Sequence, residues 1–208
     1  IDMKFKGVRV NVEQANILKQ ELIKEEKDIY QGIHKLVGFD VEIWAAASIA
    51  KAFDAVKLPY DRTEKGAPSF TKNFLATHPH ELPKAIAHAR EINKAHTTFI
   101  DTIIKHEHNG RIHADINQIR SDDGGTVTGR FSYSNPNLQQ IPARNKDLGP
   151  KIRALFIPEK NHTWGCFDYS QQEPRIVVHF ASLLKLEGSQ TIVDQYHAGE
   201  ADFHQMIA

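Results

Sequence analysis

A carboxylate directly after a predicted buried strand is the strongest candidate for chemistry in this sequence. The apolar run 163–167 predicts a buried strand that ends at Asp168, and Glu173 lies in the first turn of the helix predicted next. A strand end holds an aspartate rigidly at the edge of a crevice, which suits a Mg²⁺ ion that takes one or two protein carboxylates plus water and phosphate oxygens. The alternative is an aspartate that only caps the following element.

A polar segment, residues 128–142, is the second candidate. It contains hydroxyls, side-chain amides and one arginine, and Gly129 would let the backbone approach a partner closely. Because the minor groove presents acceptors at every base pair, such donors could hold a duplex without selecting its sequence. The candidate donors are Arg130, Asn137, Gln139 and Gln140. An ordinary polar surface loop is the alternative.

Charge gives only weak support for nucleic-acid binding. The chain has 26 basic and 26 acidic residues in 208, so its net charge is zero. Between residues 128 and 153 the only acidic residue is Asp147. The basic residues there are Arg130, Arg144, Lys146, Lys151 and Arg153. Such a local excess is typical of a surface that faces phosphates, and also of a solvated loop.

Apolar periodicity predicts the helices that must position these segments. Asn11 with Gln14 forms a possible capping box, and the helix after it runs to about residue 37. Residues 41–53 predict another helix, with an inner stripe of Ile43, Ala46, Ala47, Ala50 and Phe53. Residues 80–107 predict a rod of about 40 Å. A further helix from about 173 to 186 would bury Ile176, Val177, Phe180, Leu183 and Leu184.

Strands are predicted where the apolar residues alternate, over residues 4–12 and 112–119. Residues 121–150 show no period, and so long an irregular stretch inside a domain is typical of a functional loop. These elements predict a mostly helical α+β fold.

Four segments carry a resemblance to a known family. Residues 128–142 resemble the segment between thumb and palm of family A (DNA polymerase I-like) DNA polymerases. Residues 131–134 are similar to the phage members of that family. Residues 168–175 are similar to their motif A, the palm strand that carries one of two catalytic aspartates. Residues 151–156 match the linker between these motifs, and 202–204 resemble the Asp-x-His that follows motif A.

The resemblance implies a domain organisation and a reaction. Residues 1–125 would be a helical thumb whose long helix lies along the duplex, and 126–208 the first part of an antiparallel palm sheet. The implied function is template-directed nucleotidyl transfer, in which a primer 3′-OH attacks a dNTP α-phosphate. The implied partners are primer–template DNA and dNTPs, with no membrane.

Residue roles follow from the same resemblance. Asp168 would be catalytic and would ligate two Mg²⁺ ions, with the Tyr169 carbonyl as a further ligand. Glu173 would hold the sugar of the incoming nucleotide and exclude a ribose 2′-OH. The nucleotide-binding residues would be Tyr169, Ser170, Gln171 and Glu173. The DNA-binding residues would be Thr128, Arg130, Ser132, Asn137, Gln139, Arg144 and Arg153.

Two departures from the family pattern bear on these roles. Pro174 stands where most relatives carry leucine, and since proline lacks an N–H and disfavours helical geometry before it, we expect the helix to start late. The second palm aspartate and the fingers would follow residue 208. We therefore expect this chain to polymerise only together with that missing portion. The alternative is a stand-alone DNA-binding module.

Other features are expected to be structural. The single cysteine, Cys166, lies in an apolar run where a buried, inert thiol is usual. The His-x-His pairs at 78–80 and 106–108 favour surface histidines over zinc, since no cysteine lies near them. The N-terminus lacks a signal-peptide layout, which indicates a cytoplasmic protein, in the host cytoplasm if the source is viral.

Overall fold

The structure, a computed structural model, describes residues 2–122, 124–143 and 145–199. The chain divides after His162 into two units, residues 1–162 and 163–208. The prediction of a mostly helical α+β fold is confirmed. The functional division into thumb and palm at residue 125 stays a prediction.

The first unit opens with helix α1 (Asp2–Lys6), strand β1 (Val8–Val10) and helix α2 (Val12–Val37). The Asn11 side chain caps α2 by accepting the Gln14 backbone N–H at 3.0 Å, which is the first half of the predicted capping box. The Asn11 backbone N–H donates to the Leu155 carbonyl instead of to Gln14. The strand predicted from residue 4 was wrong over 4–6, which are helical. The turn between α1 and β1 requires Gly7, because its φ is +64° and a Cβ there would lie 2.7 Å from the Ile112 carbonyl oxygen.

Helix α3 (Ala46–Ala55), strands β2 (Asp61–Arg62) and β3 (Pro68–Ser69) and helix α4 (Lys72–Thr77) come next. Helix α3 begins later than predicted, because the Ser48 hydroxyl accepts the Glu42 backbone N–H at 2.9 Å and stabilises a turn before it. Ala46 and Ala47 are therefore exposed, while Ile49 takes the buried position.

Helix α5 (Glu81–Lys94), a π-helical segment (Ala95–Ile100) and helix α6 (Asp101–His106) follow one another without a break. The predicted long helix is thus confirmed in its extent. The wider turn within it was not predicted. Its hydrogen bonds span five residues, as where the Asp101 backbone N–H donates to the His96 carbonyl.

Short antiparallel strands close the first unit. They are β4 (Glu107–His108), β5 (Arg111–Ile112), β6 (Asp115–Asn117), β7 (Ser132–Ser134) and β8 (Phe156–Ile157). A 3₁₀ turn (Leu138–Gln140) and helix α7 (Leu148–Arg153) lie between β7 and β8. One sheet has the order β4-β5-β1-β8, and β6 pairs with β7 in a separate ribbon.

The first unit has two apolar clusters. One gathers around β1, the start of α2, the π-helical segment and α7, with Leu22, Ile100 and Ile152 fully buried. The other lies between the end of α2 and helices α3, α4 and α5, centred on Phe53, whose ring centroid is 4.8 Å from that of Phe70. Since α2 and α5 contribute to both clusters, this helix pair connects them.

The second unit contains helices α8 (Gln172–Leu183) and α9 (Ser189–Ala198), with Val178 and Tyr196 buried. The strand predicted over 163–167 was wrong: these residues are irregular and exposed, and Phe167 is 97% exposed. Cys166 is also exposed, contrary to prediction. Each apolar side chain that α8 was predicted to bury is about half exposed or more. They are Ile176, Val177, Phe180, Leu183 and Leu184.

Within the described ranges, no helix is both long and apolar enough to cross a membrane.

A buried carboxylate joins α2 to the π-helical segment. Glu26 accepts a hydrogen bond from the Asn93 amide at 2.8 Å, and its other oxygen lies 2.7 Å from His96 Nε2. Tyr30, one turn along α2, is half-buried beside it. Burial, followed by the charges of Glu26 and Glu42, raises the pKa of Tyr30 to about 12.

We expect Glu26→Gln to lower the pKa of Tyr30 towards its ordinary value near 10, because a neutral amide no longer opposes the phenolate. A pH titration of phenolate absorbance measures this, with Tyr30→Phe assigning the transition. Since the folded state holds the proton more tightly, the Tyr30 contribution to stability is lost as pH rises from about 10 to about 12.

Glu21→Gln is the matched control, an exposed carboxylate on the same helix. An equal pKa change in both variants would contradict the assignment to Glu26.

Candidate nucleic-acid interface and catalytic carboxylate

The β6–β7 ribbon supports the start of the polar segment 128–142. Asn117 on β6 donates its side-chain amide to the Ser134 hydroxyl at 3.2 Å and to the Ser132 hydroxyl at 3.4 Å. Ser132 is half-buried, so its hydroxyl serves this contact across the ribbon. The ribbon therefore fixes one end of the segment.

A tight turn presents Arg130. The Thr126 hydroxyl donates to the Arg130 carbonyl at 2.7 Å, and the Thr128 hydroxyl donates to Thr126 Oγ1 at 3.2 Å. Gly129 adopts a φ of +74° in this turn, which favours glycine. Arg130 and Thr128 are exposed on the surface of the first unit.

Asn137 and Gln139 order the second half of the segment. The Asn137 side chain accepts the Gln139 backbone N–H at 3.0 Å and so caps the 3₁₀ turn. The Gln139 side-chain amide donates to the Phe131 carbonyl at 3.0 Å. Gln139 thus ties the Arg130 turn to the 3₁₀ turn, while both Asn137 and Gln139 keep exposed surface.

Further basic side chains follow along the chain. Lys146, Lys151 and Arg153 are exposed, the last at the end of α7. Arg144, one of the predicted DNA-binding residues, lies outside the described residues. The first unit thus exposes four of the five basic residues that the sequence placed between 128 and 153.

Asp115, which the sequence did not indicate as part of this site, holds Asn135 in place. Asp115 accepts the Asn135 side-chain amide at 2.9 Å and forms an ion pair with Lys4. The hydrogen bonds from Lys4 and then from Asn135 hold the pKa of Asp115 below its usual range. The carboxylate stays charged at neutral pH and fixes the chain just before Asn137.

A cleft of about 230 Å³ lies between the long helix and residues 135–141. Phe99 and Ile103 line its apolar side, and Asn137 and His106 add polar groups. His106 Nδ1 lies 3.0 Å from the Thr102 carbonyl. Sequence could not show that the polar segment packs over Phe99 and Ile103.

Asp168 lies in the second unit on an exposed stretch. Every residue from 161 to 170 is exposed, including Asp168, Tyr169 and Ser170. The Ser170 carbonyl accepts the Arg175 Nε–H at 2.9 Å, which ties this stretch to α8. The Asp168 carboxylate and the Tyr169 carbonyl are therefore in reach of solvent and of a ligand.

Gln171 makes the turn from this stretch into α8. Its φ is +53° and ψ 42°, the left-handed region, and its side chain accepts the Tyr196 hydroxyl at 3.0 Å. The Arg175 guanidinium lies 4.5 Å from the centroid of the Tyr196 ring. A buried residue of α9 thus holds both ends of the turn.

The expected late start of α8 was wrong. The helix begins at Gln172, and Pro174 lies in its first turn, where a backbone N–H has no intrahelical partner to lose. Glu173 is exposed in the same turn. Proline therefore does not displace Glu173 from the start of the helix.

The donor set around Asp168 fits a hard cation in part. A solvent-exposed carboxylate and a neighbouring carbonyl are oxygen ligands of the kind that Mg²⁺ accepts, with water filling the rest of its shell. Among the described residues, no three or more His, Cys, Asp or Glu side chains gather as a metal site.

Comparison with known proteins decides the family. The family model described as DNA polymerase family A matches residues 12–208. This chain belongs to DNA polymerase family A. The match covers both the polar segment and the Asp168 stretch; the Asp-x-His at 202–204 lies within it but outside the described residues.

The relatives of this chain agree with this family. The chain is 32% identical to a DNA-directed DNA polymerase of Pseudomonas phage M6 over 99% of its own length and 34% of the relative. It is 30% identical to a thermostable DNA polymerase I of Thermus caldophilus, covering 99% of this chain and 24% of that one. It thus spans about a third or less of these relatives.

A solved polymerase structure shares the fold. The POL domain of Pol1 from M. smegmatis, solved in complex with DNA primer-template and dNTP, superimposes with a TM-score of 0.74. The likeness covers 96% of this chain and 34% of that one at 24% identity.

We expect Gln139→Ala to loosen residues 128–134, because the Phe131 carbonyl loses its side-chain donor. The loss of one hydrogen bond, about 1 kcal/mol, corresponds to about fivefold faster amide exchange there. Hydrogen exchange measured by mass spectrometry tests this. Gln140→Ala, a neighbouring exposed glutamine, is the control; equal acceleration in both variants would argue against the tie.

Proposed function

We propose that this chain supplies the duplex-holding and motif A portions of a DNA-directed DNA polymerase. The observation that carries the proposal is the DNA polymerase family A match over residues 12–208, which includes both candidate segments. We assign residues 1–125 to a thumb and 126–208 to the first part of a palm. The substrates would be primer–template DNA and dNTPs.

The first unit would hold the duplex. The Arg130 turn and the capped Asn137 turn place exposed donors on the first unit, on which Arg153 is also exposed. Donors of this kind bind phosphates and minor-groove acceptors at any sequence, as a polymerase requires. Ser132 and Gln139 would contribute mainly by keeping these turns in place, since the Ser132 hydroxyl accepts from Asn117 on β6 and the Gln139 amide donates to the Phe131 carbonyl. Thr128 and Arg144 complete the proposed set.

The second unit would supply the catalytic carboxylate. Asp168 and the Tyr169 carbonyl would hold Mg²⁺, which when bound stabilises the charge that develops on the attacking and leaving oxygens. Exposure of Asp168 supports this role, since a sealed carboxylate could not meet a triphosphate. Glu173, exposed in the first turn of α8, would contact the nucleotide sugar, beside Ser170 and Gln171.

The remaining ligands would come from another part of the polymerase. A site with two metal ions needs more carboxylates than Asp168 alone provides, and the part of the chain that the structure describes gathers no such group. We therefore propose that this chain needs the fingers and the remaining palm for activity. It would act in the cytoplasm, the host's if the source is a phage.

We expect Arg130→Ala to weaken binding of primer–template DNA by ~1–3 kcal/mol, largely regardless of sequence. Fluorescence anisotropy with duplexes of several sequences measures this. Arg130→Lys keeps the charge and should lose less, since it still meets a phosphate. An unchanged affinity, or a loss confined to one sequence, would remove Arg130 from the interface.

We expect Asp168→Asn to abolish primer extension when this chain is mixed with a polypeptide that supplies fingers and the remaining palm, plus Mg²⁺ and dNTPs. Asp194→Asn, another exposed carboxylate in the second unit, should leave extension intact. Tight DNA binding without any extension by the unsubstituted mixture would favour a stand-alone DNA-binding module instead.

A further inference from the structure

Tyr196, a residue of α9, contacts the turn that leads from Asp168 into α8. Only 8% of Tyr196 is exposed. Its hydroxyl donates to the Gln171 side-chain oxygen at 3.0 Å, which joins residues 25 positions apart in the chain. A buried tyrosine hydroxyl generally needs a hydrogen-bond partner, and Gln171 supplies one. Tyr196 therefore connects α9 to the residue that immediately precedes α8.

Gln171 occupies the N-cap position of α8, but its side chain does not cap the helix. An N-cap side chain ordinarily accepts a backbone N–H of the first turn, whereas the Gln171 oxygen accepts the Tyr196 hydroxyl. The φ of +53° places Gln171 in the left-handed region, which a residue with a Cβ occupies only at a cost in free energy. The hydrogen bond from Tyr196 helps to hold the chain in this conformation.

The aromatic ring of Tyr196 makes a second contact with the same turn. The Arg175 guanidinium lies 4.5 Å from the ring centroid, and its Nε–H donates to the Ser170 carbonyl at 2.9 Å. The Arg175 backbone N–H donates to the Gln171 carbonyl at 3.0 Å. Because a guanidinium donates in its own plane, the ring that it packs against also sets the direction of its donors. One side chain thus acts on two successive residues, Ser170 and Gln171.

The turn that Tyr196 holds lies between the two carboxylates of the candidate site. Asp168 precedes Gln171 by three residues and Glu173 follows it by two. Asp168 and Glu173 are both exposed, so burial does not fix their positions. The backbone torsions of Gln171 lie between them and are soft rotations of the chain. The conformation of Gln171 therefore sets where one carboxylate lies relative to the other.

We propose that Tyr196 is a positioning residue for nucleotide binding, which acts by holding the turn between Asp168 and Glu173. This rests on the roles proposed above for these two carboxylates. Tyr196 acts through Gln171 and Arg175 and keeps the turn in one conformation before the nucleotide arrives. A site that is already ordered loses less conformational freedom on binding. Once the nucleotide is bound, its own contacts also hold the turn, so Tyr196 contributes more to binding than to the step that follows.

The test of the hydroxyl is Tyr196→Phe, which keeps the ring beside Arg175 and removes only the donor to Gln171. In the mixture of this chain with a polypeptide that supplies fingers and the remaining palm, steady-state primer extension gives KM for the dNTP and kcat. We expect KM to rise about fivefold, the size of one hydrogen bond, and kcat to change less than about twofold.

Ser182→Ala is the matched control in this assay. It also removes one hydroxyl from the second unit, but that hydroxyl donates to the His179 carbonyl near the far end of α8. We expect its KM to stay unchanged. An unchanged KM in Tyr196→Phe, or an equal rise in Ser182→Ala, would overturn the proposal. A fall in kcat with an unchanged KM would also overturn it.

Double variants show whether Tyr196 acts through Gln171. Gln171→Met keeps the length of the side chain but has no oxygen acceptor, so adding Tyr196→Phe to it should raise KM no further. Gln171→Glu keeps an acceptor, so adding Tyr196→Phe to that variant should still raise KM about fivefold. Additive effects of Tyr196→Phe and Gln171→Met would show that the hydroxyl acts elsewhere, which would overturn the proposal.

Hydrogen exchange of this chain by itself separates failure of this proposal from failure of the proposed function. Tyr196→Phe should speed amide exchange in the first turn of α8 about fivefold, and Ser182→Ala should not. An unsubstituted mixture that extends no primer would overturn the proposed function, and the role of Tyr196 in nucleotide binding with it. Extension by that mixture, with unchanged exchange and KM in Tyr196→Phe, would overturn only the role of Tyr196.

Discussion

Backbone pairing along Val8–Val10 is the constraint on which the first unit depends. This strand pairs with Arg111–Ile112 on one edge and with Phe156–Ile157 on the other. The Asn11 backbone N–H then donates to the Leu155 carbonyl at 2.8 Å, just before α2 begins. Segments more than a hundred residues apart in sequence thus meet at one strand. Because both ends of the stretch 113–155 are fixed there, the polar segment must emerge from one place beside the long helix.

Sequence predicted the elements whose signals are local. The Asn11 cap and the periodic apolar residues of α2 and α5 needed no tertiary information, since capping and burial of a stripe follow from spacing alone. The segments that resemble family A polymerases carried the family assignment, and the comparisons confirmed it. The irregularity of 121–150 was also visible, but not the bonds of Asn117 and Gln139 that order it, because no local sequence signal marks contacts between residues 8 to 17 positions apart.

The prediction failed where an element depends on what lies beside it. Residues 163–167 have strand-like composition, yet a strand also needs a neighbouring backbone to complete its hydrogen bonds, and no described segment pairs with them. Composition likewise favoured burial of Phe167 and of the apolar side of α8, but burial requires a surface to pack against. The αL conformation of Gln171 escaped notice because glutamine gives no sign of a positive φ.

The π-helical segment leaves α5 and α6 continuous in length, but it changes the direction in which the side chains of α6 point. Each residue absorbed by the wide turn rotates the downstream face by roughly 100° relative to an uninterrupted α-helix. Ile103 of α6, which faces residues 135–141 across the cleft, therefore depends on this wide turn for its direction. If the polar segment packed on a regular α-helix of equal length, Asn137 and its neighbours would contact a different face of that helix.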